Sequence, residues 1–402
     1  MALVRSLGAL QRGGAAAPPL LQLQSSAATP LGSIAYSDIY RRQPEVRVVI
    51  EFLARNIAQL GLHLYELLGE NDRRRDRNHP SIRLLNHPNW YTTRYRLTEQ
   101  TVQDMAIYAH AFWIKVRKNG TLTALTPMSP ARMAVAGDVY PVQYRYTRED
   151  NREIFFDPTE VIHFRHYDPV DPLRAVSPLE ALKGIVAESR AAAMTRLAFW
   201  KNGAKLGGVI SRPLQAGRWS VEARDRFRRQ FDERYTGSGN AGRYPVLEEG
   251  MTFQPVVSTM VDAESVATQK LSREEVARAY HIPLPMVGIL DNATFSNIKE
   301  QHRHLYQDCL GPWLEMLSQE LELQYLPEFA GSESRYLEFN IAAKLAGSFE
   351  EQAAAMQSAV GRPWMSVNEA RARQNLSSKA GEDSIAAPLN MTVGKPAAVG
   401  AA

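Results

Sequence analysis

The sequence predicts an α+β protein, and three observations lead to this prediction. Apolar residues recur at helical spacing after Pro44, which indicates an amphipathic helix. Several later segments alternate between apolar and polar residues, the pattern of a half-buried strand. Asn119-Gly120 joins two such segments and predicts a tight hairpin, because both residues tolerate a positive φ.

The first half of the chain contains most of the predicted strands. In order, we expect a helix over 45–60, a strand over 62–67, a helix over 97–108, a hairpin over 111–125 and strands over 139–147 and 160–167. The basic run NDRRRDRNHP at 71–80 could contact nucleic acid, although a solvated loop is the favoured interpretation.

A long helix is predicted from Ser177 to Lys201. It carries a stripe of apolar or small residues and a separate basic face, because separations of 7 and 18 residues return to nearly the same angle. The stripe contains Leu182, Val186, Ser189, Ala193, Leu197 and Trp200. The basic face contains Lys183, Arg190 and Lys201.

Residues 204–258 form a small unit between two helices. We expect a short strand GGVI, a helix that begins at Ser220 and carries Phe227 and Phe231, and a hairpin over 244–256. A second long helix is predicted to end at Tyr280.

The stretch YHIPLPMVGILDNATFSNIKE, residues 280–300, separates two predicted helices by an apolar, proline-containing corner and a polar run. Routine helix connections are about 2–8 residues long, and longer ones are usually functional or disordered. Asn297 and Glu300 fit a capping box for the following helix, which extends to about Leu326. Gly311-Pro312 predicts a kink in it, because proline removes a backbone hydrogen bond.

Composition restricts the classes of function. The chain has 402 residues, a net charge of +4 and one cysteine, Cys309, which excludes an intrachain disulfide and any cysteine-rich metal site. A protein that grips many phosphates normally shows a larger basic excess, so tight nonspecific DNA binding is disfavoured, whereas transient contact is not.

Motifs for catalysis are also missing from the sequence. GSGNAG at 237–242 matches a dinucleotide-binding pattern but follows a helix and precedes a strand, so we interpret it as a loop. There is no P-loop motif. His163 and His166 lie on opposite faces of a strand and are better explained as core or surface histidines. We therefore predict no catalytic residue, no metal and no cofactor.

The chain ends differ from the rest in composition. Residues 1–37 are rich in Ala, Leu, Ser and Pro and contain no acidic residue. This composition is shared by transit peptides, but a disordered arm is the favoured interpretation. The tail from Ser377 is also predicted to be disordered.

Taken in order, these segments resemble the portal protein family of tailed double-stranded DNA phages, of the type found with long-tailed phages and gene transfer agents. The similarity covers about residues 40–376. Two departures occur, at YAHAFW and at Arg174-Ala175-Val176, where family members often carry glycine. The similarity rests on VRVVIEFLARNIAQLGLHLYEL, HPSIRLLNHPN, SPLEAL, FWKNGAKLGGVI, NAGRYPVLEEG, EEVARAYHIPLPMVG, FSNIKEQ, CLGPWLEMLSQEL and SVNEARARQNL.

The resemblance implies a portal fold with wing, paired stem helices, a small α/β clip and a short helical crown. The implied segments are a disordered arm over 1–39, the first part of the wing over 40–176, a stem helix over 177–203, the clip over 204–262, a second stem helix over 263–280, a tunnel loop over 281–296, the kinked helix and strand of the wing over 297–345, the crown over 346–376 and a disordered tail over 377–402.

The resemblance also implies functional residues. The tunnel loop would face DNA through Leu290, Asp291, Asn292, Ala293, Thr294, Phe295 and Ser296. The basic face of the first stem helix would line the channel, and Gly311-Pro312 would kink the helix after the loop. Arg224, Arg228 and Glu249 are candidates for partner-facing charges in the clip.

A portal protein is expected to form a dodecameric ring at one capsid vertex of a virion assembled in the bacterial cytoplasm. Double-stranded DNA would enter and leave through the ring, which would contact the major capsid protein, the large terminase and a head–tail adaptor, without membrane contact. The alternatives are another ring-forming connector or minor capsid protein, which would lack the loop between paired helices, and a DNA-processing enzyme, which would need clustered acidic metal ligands.

Overall fold

A computed structural model describes most of the chain between residues 21 and 385. The described residues are 21–22, 35–69, 72–201, 208–213, 217, 219–235, 247, 250–255, 273–290, 295–341, 344, 357–360, 365–373 and 377–385. The chain divides into two compact units, residues 1–339 and residues 340–402.

The larger unit contains several helices among its described residues. They are α1 Tyr36–Arg42, α2 Pro44–Ala58, α3 Pro80–Asn86, α4 Arg94–Tyr108, α5 Pro178–Lys201, α6 Val221–Tyr235, α7 over residues 273–279, α8 Phe295–His304 and α9 Leu310–Gln324. A π-helical turn, Leu305–Cys309, joins α8 to α9. No helix in the described ranges is long and apolar enough to cross a membrane.

Twelve strands in the described residues form four small sheets. They are β1 Leu21–Gln22, β2 Gly61–Gly69, β3 Asp72–Arg75, β4 His110–Lys118, β5 Thr121–Met128, β6 Met133–Gly137, β7 Pro141–Thr147, β8 Glu153–Phe156, β9 Val161–Arg165, β10 Gly208–Ser211, β11 Thr252–Pro255 and β12 Arg335–Asn340. The strand orders are β1-β6-β7-β8, β5-β4-β9, β12-β2-β3 and β10-β11.

The core of the larger unit lies between α2, α4 and the sheet centred on β4. One face of α2 is buried, as the helical spacing predicts, and Ile50 and Leu53 have no exposed surface. Phe112 on β4 packs in a cluster that joins this sheet to β6 and β7. Burial of such side chains stabilises the fold by about 1.5–3 kcal/mol each.

The β4–β5 hairpin confirms the Asn119-Gly120 prediction. Asn119 and Gly120 have φ values of 53° and 79°, so both residues of the two-residue turn are left-handed. Lys118 pairs with Thr121 across it. This conformation matches the right-handed twist of the two strands, which is why the turn is found in tight hairpins.

The basic run at 71–80 is a correction to the sequence analysis. Its residues Asp72–Arg75 form β3, which pairs antiparallel with β2, with Glu66 opposite Arg74. Arginine has no strong strand propensity, so local sequence predicted a loop. Tertiary pairing decides otherwise, because Arg73 reaches Glu338 and Arg74 reaches Glu66.

Both predicted disordered ends contain ordered residues. Leu21 pairs with Val135 of β6, and α1 begins at Tyr36, inside the predicted arm. In the smaller unit, helix α10, Val367–Arg373, holds part of the tail, because the Asn368 amide donates to the carbonyl of Lys379 and to Asp383. These contacts join residues distant in sequence, which composition does not reveal.

His163 is part of the core, which confirms its structural interpretation, and it packs there with His110. His110 Nδ1 lies 2.9 Å from His163 Nε2, and the His163 ring stacks on Phe112. Burial, the largest effect, lowers the pKa of His110 to about 3 and that of His163 well below its ordinary value. Both imidazoles are therefore neutral at physiological pH.

We expect this pair to make the fold sensitive to acid. The unfolded histidines have a pKa of about 6.5, so the unfolded state binds more protons below that pH. The stability is therefore complete above about pH 6.5 and decreases as the pH falls, by up to about 1.4 kcal/mol per pH unit for each group. Urea unfolding at pH 7.5, 6 and 5 measures this slope.

The comparison of two variants isolates the contribution of the pair. His163→Gln should reduce the loss of stability on acidification, whereas His87→Gln, at an exposed position, should leave it unchanged. Equal slopes in the two variants would contradict the assignment.

Candidate functional site

The helix before the 280–300 stretch ends in a Schellman motif. The N–H of His281 donates to the carbonyl of Arg278 at 3.0 Å, and that of Ile282 to the carbonyl of Ala277 at 2.9 Å. His281 occupies the left-handed position of this motif, with φ 57°. The chain therefore reverses direction within two residues of the end of α7.

A second motif of the same kind follows immediately. Leu284–Val287 is a 3₁₀ turn, and Gly288 has φ 84°. The N–H groups of Gly288 and Ile289 donate to the carbonyls of Pro285 and Leu284, each at 3.2 Å. The prolines, which lack an N–H, lie where none is needed. The corner, residues 280–289, is thus hydrogen-bonded along its length.

Buried side chains fix the corner to the rest of the larger unit. Tyr280, Ile282, Val287 and Ile289 are all buried. The Tyr280 hydroxyl donates to the carbonyl of Ala106 in α4 at 2.8 Å, and the Tyr280 carbonyl accepts from the Cys309 thiol at 3.5 Å. The corner is therefore attached both to α4 and to the helical segment after the loop.

Cys309 is a buried structural residue, as its place on an apolar helix face predicted. Burial raises the pKa of the Cys309 thiol to about 12. The thiolate is the reactive form of cysteine, so this side chain is protonated and unreactive at neutral pH.

Beyond the corner the chain returns to solvent. Leu290 is 61% exposed, and the predicted loop residues Asp291, Asn292, Ala293 and Thr294 lie outside the described residues. Helix α8 begins at Phe295, so Phe295 and Ser296 belong to a helical turn rather than to the loop. The DNA-facing role of all seven residues stays a prediction.

The predicted capping box at Asn297 and Glu300 is wrong, because the helix begins at Phe295, two residues before Asn297. Asn292, Thr294, Ser296 and Asn297 are all residue types that favour the N-cap. The local sequence therefore offers several starting points and does not choose between them.

The Gly311-Pro312 pair follows the π-helical turn Leu305–Cys309. The N–H of Leu310 donates to the carbonyl of Leu305, five residues back. Pro312 is the third residue of α9. A missing N–H is best tolerated near the start of a helix, where those groups have fewer intrahelical partners. The hydrogen-bonding irregularity thus precedes the proline, and the predicted kink itself stays a prediction.

Tyr306 connects this π-helical turn to α2. Its ring is 2% exposed, and its hydroxyl donates to Asn56 Oδ1 at 3.2 Å. The Gln59 amide donates to the same hydroxyl at 3.3 Å. Tyr280 and Tyr306 therefore fix the segments before and after the loop to the same unit. A lone tyrosine gives no sequence signal for this role.

The long helix α5 starts from a buried cap. Ser177 Oγ donates to the carbonyl of Ile107 and accepts from the N–H of Leu179, at 2.8 and 3.1 Å. Leu179, Leu182 and Val186 are buried. The first turns of α5 thus pack on the end of α4, and capping of this kind contributes about 1 kcal/mol.

Lys183 is a correction to the predicted basic face. It is 4% exposed, its ammonium lies 2.7 Å from Glu180, and it lies 4.9 Å from the centroid of the Tyr36 ring. Burial raises the pKa of Glu180, but contacts with Lys183 and Tyr36 lower it more, so the carboxylate is ionised. Lys183 thus closes a packed cluster, because Tyr36 arrives from α1, which helical angles alone could not reveal.

The outer half of α5 has a different surface. Arg190 and Ala193 are exposed, and so are the apolar side chains of Met194 (65%) and Leu197 (55%). The side chains of Trp200 and Lys201 are not among those described. At about 1.5 Å per residue the 24-residue helix is about 36 Å long, so about half of it extends past its buried base.

The small unit after α5 combines a two-stranded sheet with a helix. Val209 of β10 pairs with Gln254 of β11. The rings of Trp219, Phe227, Phe231 and Tyr235 contact one another in series, with centroids 5.0 to 5.9 Å apart. Residues 244–246, 248–249 and 256 of the predicted hairpin, and GSGNAG at 237–242, fall outside the described residues.

The candidate partner-facing charges lie on α6. Arg224 and Arg228 are exposed, and each lies three residues before a phenylalanine of the aromatic series, whereas Glu249 is outside the described ranges. Among the residues that the structure describes, no three His, Cys, Asp or Glu side chains are grouped so that they could hold a metal ion.

Comparison with known protein families gives a match over most of the chain. A sequence model of the family described as "Phage portal protein" matches residues 44–375. The portal protein of Enterobacteria phage HK97 is 26% identical over 332 residues, which cover 81% of this chain and 77% of that protein. An uncharacterized protein of Rickettsia bellii is 24% identical over 246 residues, or 60% of this chain, and the alignment spans 64% of the Rickettsia protein.

Solved structures show the same fold. A chain in the neck of an empty gene transfer agent particle, computed with C6 symmetry, superposes with a TM-score of 0.62 at 22% identity, over 93% of this chain and 99% of that chain. An HK97-family phage portal protein from Corynebacterium diphtheriae gives a TM-score of 0.56 at 15% identity, over 78% and 97%.

The two left-handed residues of the corner lead to a paired prediction. A side chain added at Gly288 meets no atom within 4 Å, so Gly288→Ala should lower the free energy of unfolding by about 1 kcal/mol through backbone strain alone. His281→Gly should raise it by a similar amount, or leave it unchanged. Urea unfolding measures both, and a stabilising Gly288→Ala would contradict the described backbone.

Proposed function

Because the chain belongs to the phage portal protein family, we propose that it forms a ring of identical subunits, twelve in number, at one vertex of a capsid. Double-stranded DNA enters the capsid through this ring and leaves by it. The observation that carries the proposal is the surface of α5. Its base is buried in its own chain, whereas Met194 and Leu197 in its outer half are exposed.

An exposed apolar helix face of this kind is expected to be buried against another protein surface. Large apolar surfaces are rare on monomers and usually mark interfaces, which in obligate assemblies are extensive. In the proposed ring the outer half of α5 packs against the neighbouring subunit, and the small residues Ala191 to Ala193 allow close approach of a helix. The portal fold supports this arrangement.

The 281–296 stretch is proposed to act as the tunnel loop of the ring. A corner fixed by Tyr280 on one side and Tyr306 on the other holds the two ends of the loop in place. Between these two tyrosines, the side chain of Leu290 is exposed. The loop would project into the channel and contact DNA sterically, and Asp291 would repel passing phosphates within about 8 Å.

The remaining assignments concern partners and place. The unit of 204–262 is proposed as the clip, which would meet the large terminase during packaging and a head–tail adaptor afterwards, while other surfaces contact the major capsid protein. The ring would assemble in the bacterial cytoplasm and remain in the virion. This role has no bond-breaking step, so we assign the chain no enzymatic activity.

Ring assembly tests the proposed interface on α5. Ala193→Arg should abolish or strongly reduce ring formation, because a charge would be buried at a close helix contact. Glu188→Arg, at an exposed position nearer the buried base, serves as a charge control. Negative-stain microscopy and analytical ultracentrifugation measure the ring fraction. A normal yield of Ala193→Arg rings would remove this face from the interface.

Deletion of Asn292 to Thr294 tests the loop. It removes no residue that the structure places in the core, so folding and ring yield should be unchanged. Packaged DNA should be shorter or less well retained in particles built with the deletion. Pulsed-field electrophoresis of particle DNA measures this, and full-length, fully retained DNA would remove the tunnel-loop assignment.

Charge reversal at Arg224 and Arg228 tests the clip. Both side chains are exposed, so Arg224→Glu with Arg228→Glu should leave rings intact and should block DNA packaging or adaptor attachment. Counting filled and tailed particles by microscopy measures the outcome. Normal particles would show that α6 does not contact these partners.

A further inference from the structure

A polar cavity of about 260 Å³ lies in the first half of the chain, where β2, the end of β3, α3 and α4 meet. It is more than ten times larger than the roughly 15 Å³ needed for one water molecule. Its polar lining consists of His63, Arg75, Asp76, Arg77, Asn86 and Arg94.

The three arginines of this cavity have no carboxylate partner among the described residues. Within the described chain, no Asp or Glu oxygen lies within 4.0 Å of Arg75, Arg77 or Arg94, whereas neighbouring Arg73 and Arg74 are both paired. Arg94 donates to the carbonyl of Leu60 at 3.1 Å, which fixes its position. The basic run thus divides into residues that hold the sheet together and residues that face the cavity.

The acidic residue of the cavity does not neutralise them. Asp76 accepts from the backbone N–H groups of Asn78 and His79, at 3.0 and 3.1 Å. Its second oxygen lies 3.3 Å from Arg335. Arg335 also contacts Glu66, which pairs with Arg74, so these two arginines and two carboxylates balance one another. The cavity therefore retains the positive charge of its three arginines.

The pKa of His63 reflects the same excess of positive charge. Burial, followed by the charges of Arg75, Arg94 and Arg77, lowers the pKa of His63 to about 4. The neutral ring fits beside Gly61, where a side chain carbon would lie 3.0 Å from His63 Nε2. The cavity therefore offers guanidinium groups and a neutral imidazole to a ligand.

We propose that this cavity binds a small anion that carries phosphate groups, of the size of inorganic phosphate or pyrophosphate. Guanidinium groups present planar pairs of donors that match phosphate oxygens, and charge-assisted hydrogen bonds of this kind are about twice as strong as neutral ones. The arginines converge on one recess, which fits a compact ligand. A nucleic-acid backbone would instead require basic residues in a row. The site does not depend on the proposed function.

Binding of pyrophosphate and inorganic phosphate to the purified full-length protein tests the proposal. Isothermal titration calorimetry is performed at constant ionic strength, with chloride as the reference anion. The wild type should bind pyrophosphate saturably, with one site per subunit. Arg75→Gln and Arg77→Gln should each weaken binding at least tenfold. Arg83→Gln removes one charge from an exposed position on α3 and should leave affinity unchanged.

The other outcomes overturn the proposal. Absence of saturable binding by the wild type would do so, as would an equal loss of affinity in Arg83→Gln, which indicates nonspecific attraction. Binding of a short DNA duplex, lost in Arg75→Gln, without pyrophosphate binding would assign the arginines to nucleic acid. A reduced ring yield of Arg75→Gln, without pyrophosphate binding, would assign them to a carboxylate of a second copy.

Discussion

The burial of Tyr280 is the constraint on which the loop region depends. Its ring is enclosed by the larger unit, its hydroxyl donates to the carbonyl of Ala106 in α4, and its carbonyl accepts from the Cys309 thiol. These contacts connect the end of one helix, the helix that supports α5 and the helix that resumes after the loop. A movement of any of them would leave a buried polar group unpaired, which costs about 1–3 kcal/mol.

The larger unit also supports the base of α5, through α4. Ser177 donates to the carbonyl of Ile107, one residue along α4 from the acceptor of Tyr280. The C-terminal turn of α4 therefore holds both the start of the long helix and the corner before the loop. The proposed stem and tunnel loop are thus positioned by one short segment, while the outer half of α5 is left for contacts with a neighbour.

The charged side chains of the larger unit differ in whether they are paired. In the described residues, the arginines of the β12-β2-β3 sheet are largely paired with Glu66, Asp76 and Glu338, which stiffens the sheet. A net charge of +4 in 402 residues leaves little overall attraction for phosphates, which suits the proposed passage of DNA. Arg75, Arg77 and Arg94 around the cavity are a local exception, because no carboxylate among the described residues lies within 4.0 Å of them.

The sequence by itself determined the α+β class, the amphipathic helix α2, the Asn119-Gly120 hairpin and the long helix α5. Each is encoded by local periodicity or by the φ preference of a few residues. The order of weak motifs also indicated the family, which the match over 44–375 confirmed. The position of the corner after α7 was predictable as well, because prolines and a glycine restrict the range of backbone conformations there.

Only the tertiary structure decided the pairing of β3, the burial of Lys183, the start of α8 at Phe295 and the grouping of Arg75, Arg77 and Arg94. The pairing of β3 and the burial of Lys183 each depend on a residue far away in sequence. Ion pairs with Glu338 and Glu66 stabilise the charged run as strand β3. The ring of Tyr36 packs against Lys183. The periodicity of a sequence does not identify such partners, because the energy of a contact depends on the distance between two groups in space and not on their separation along the chain.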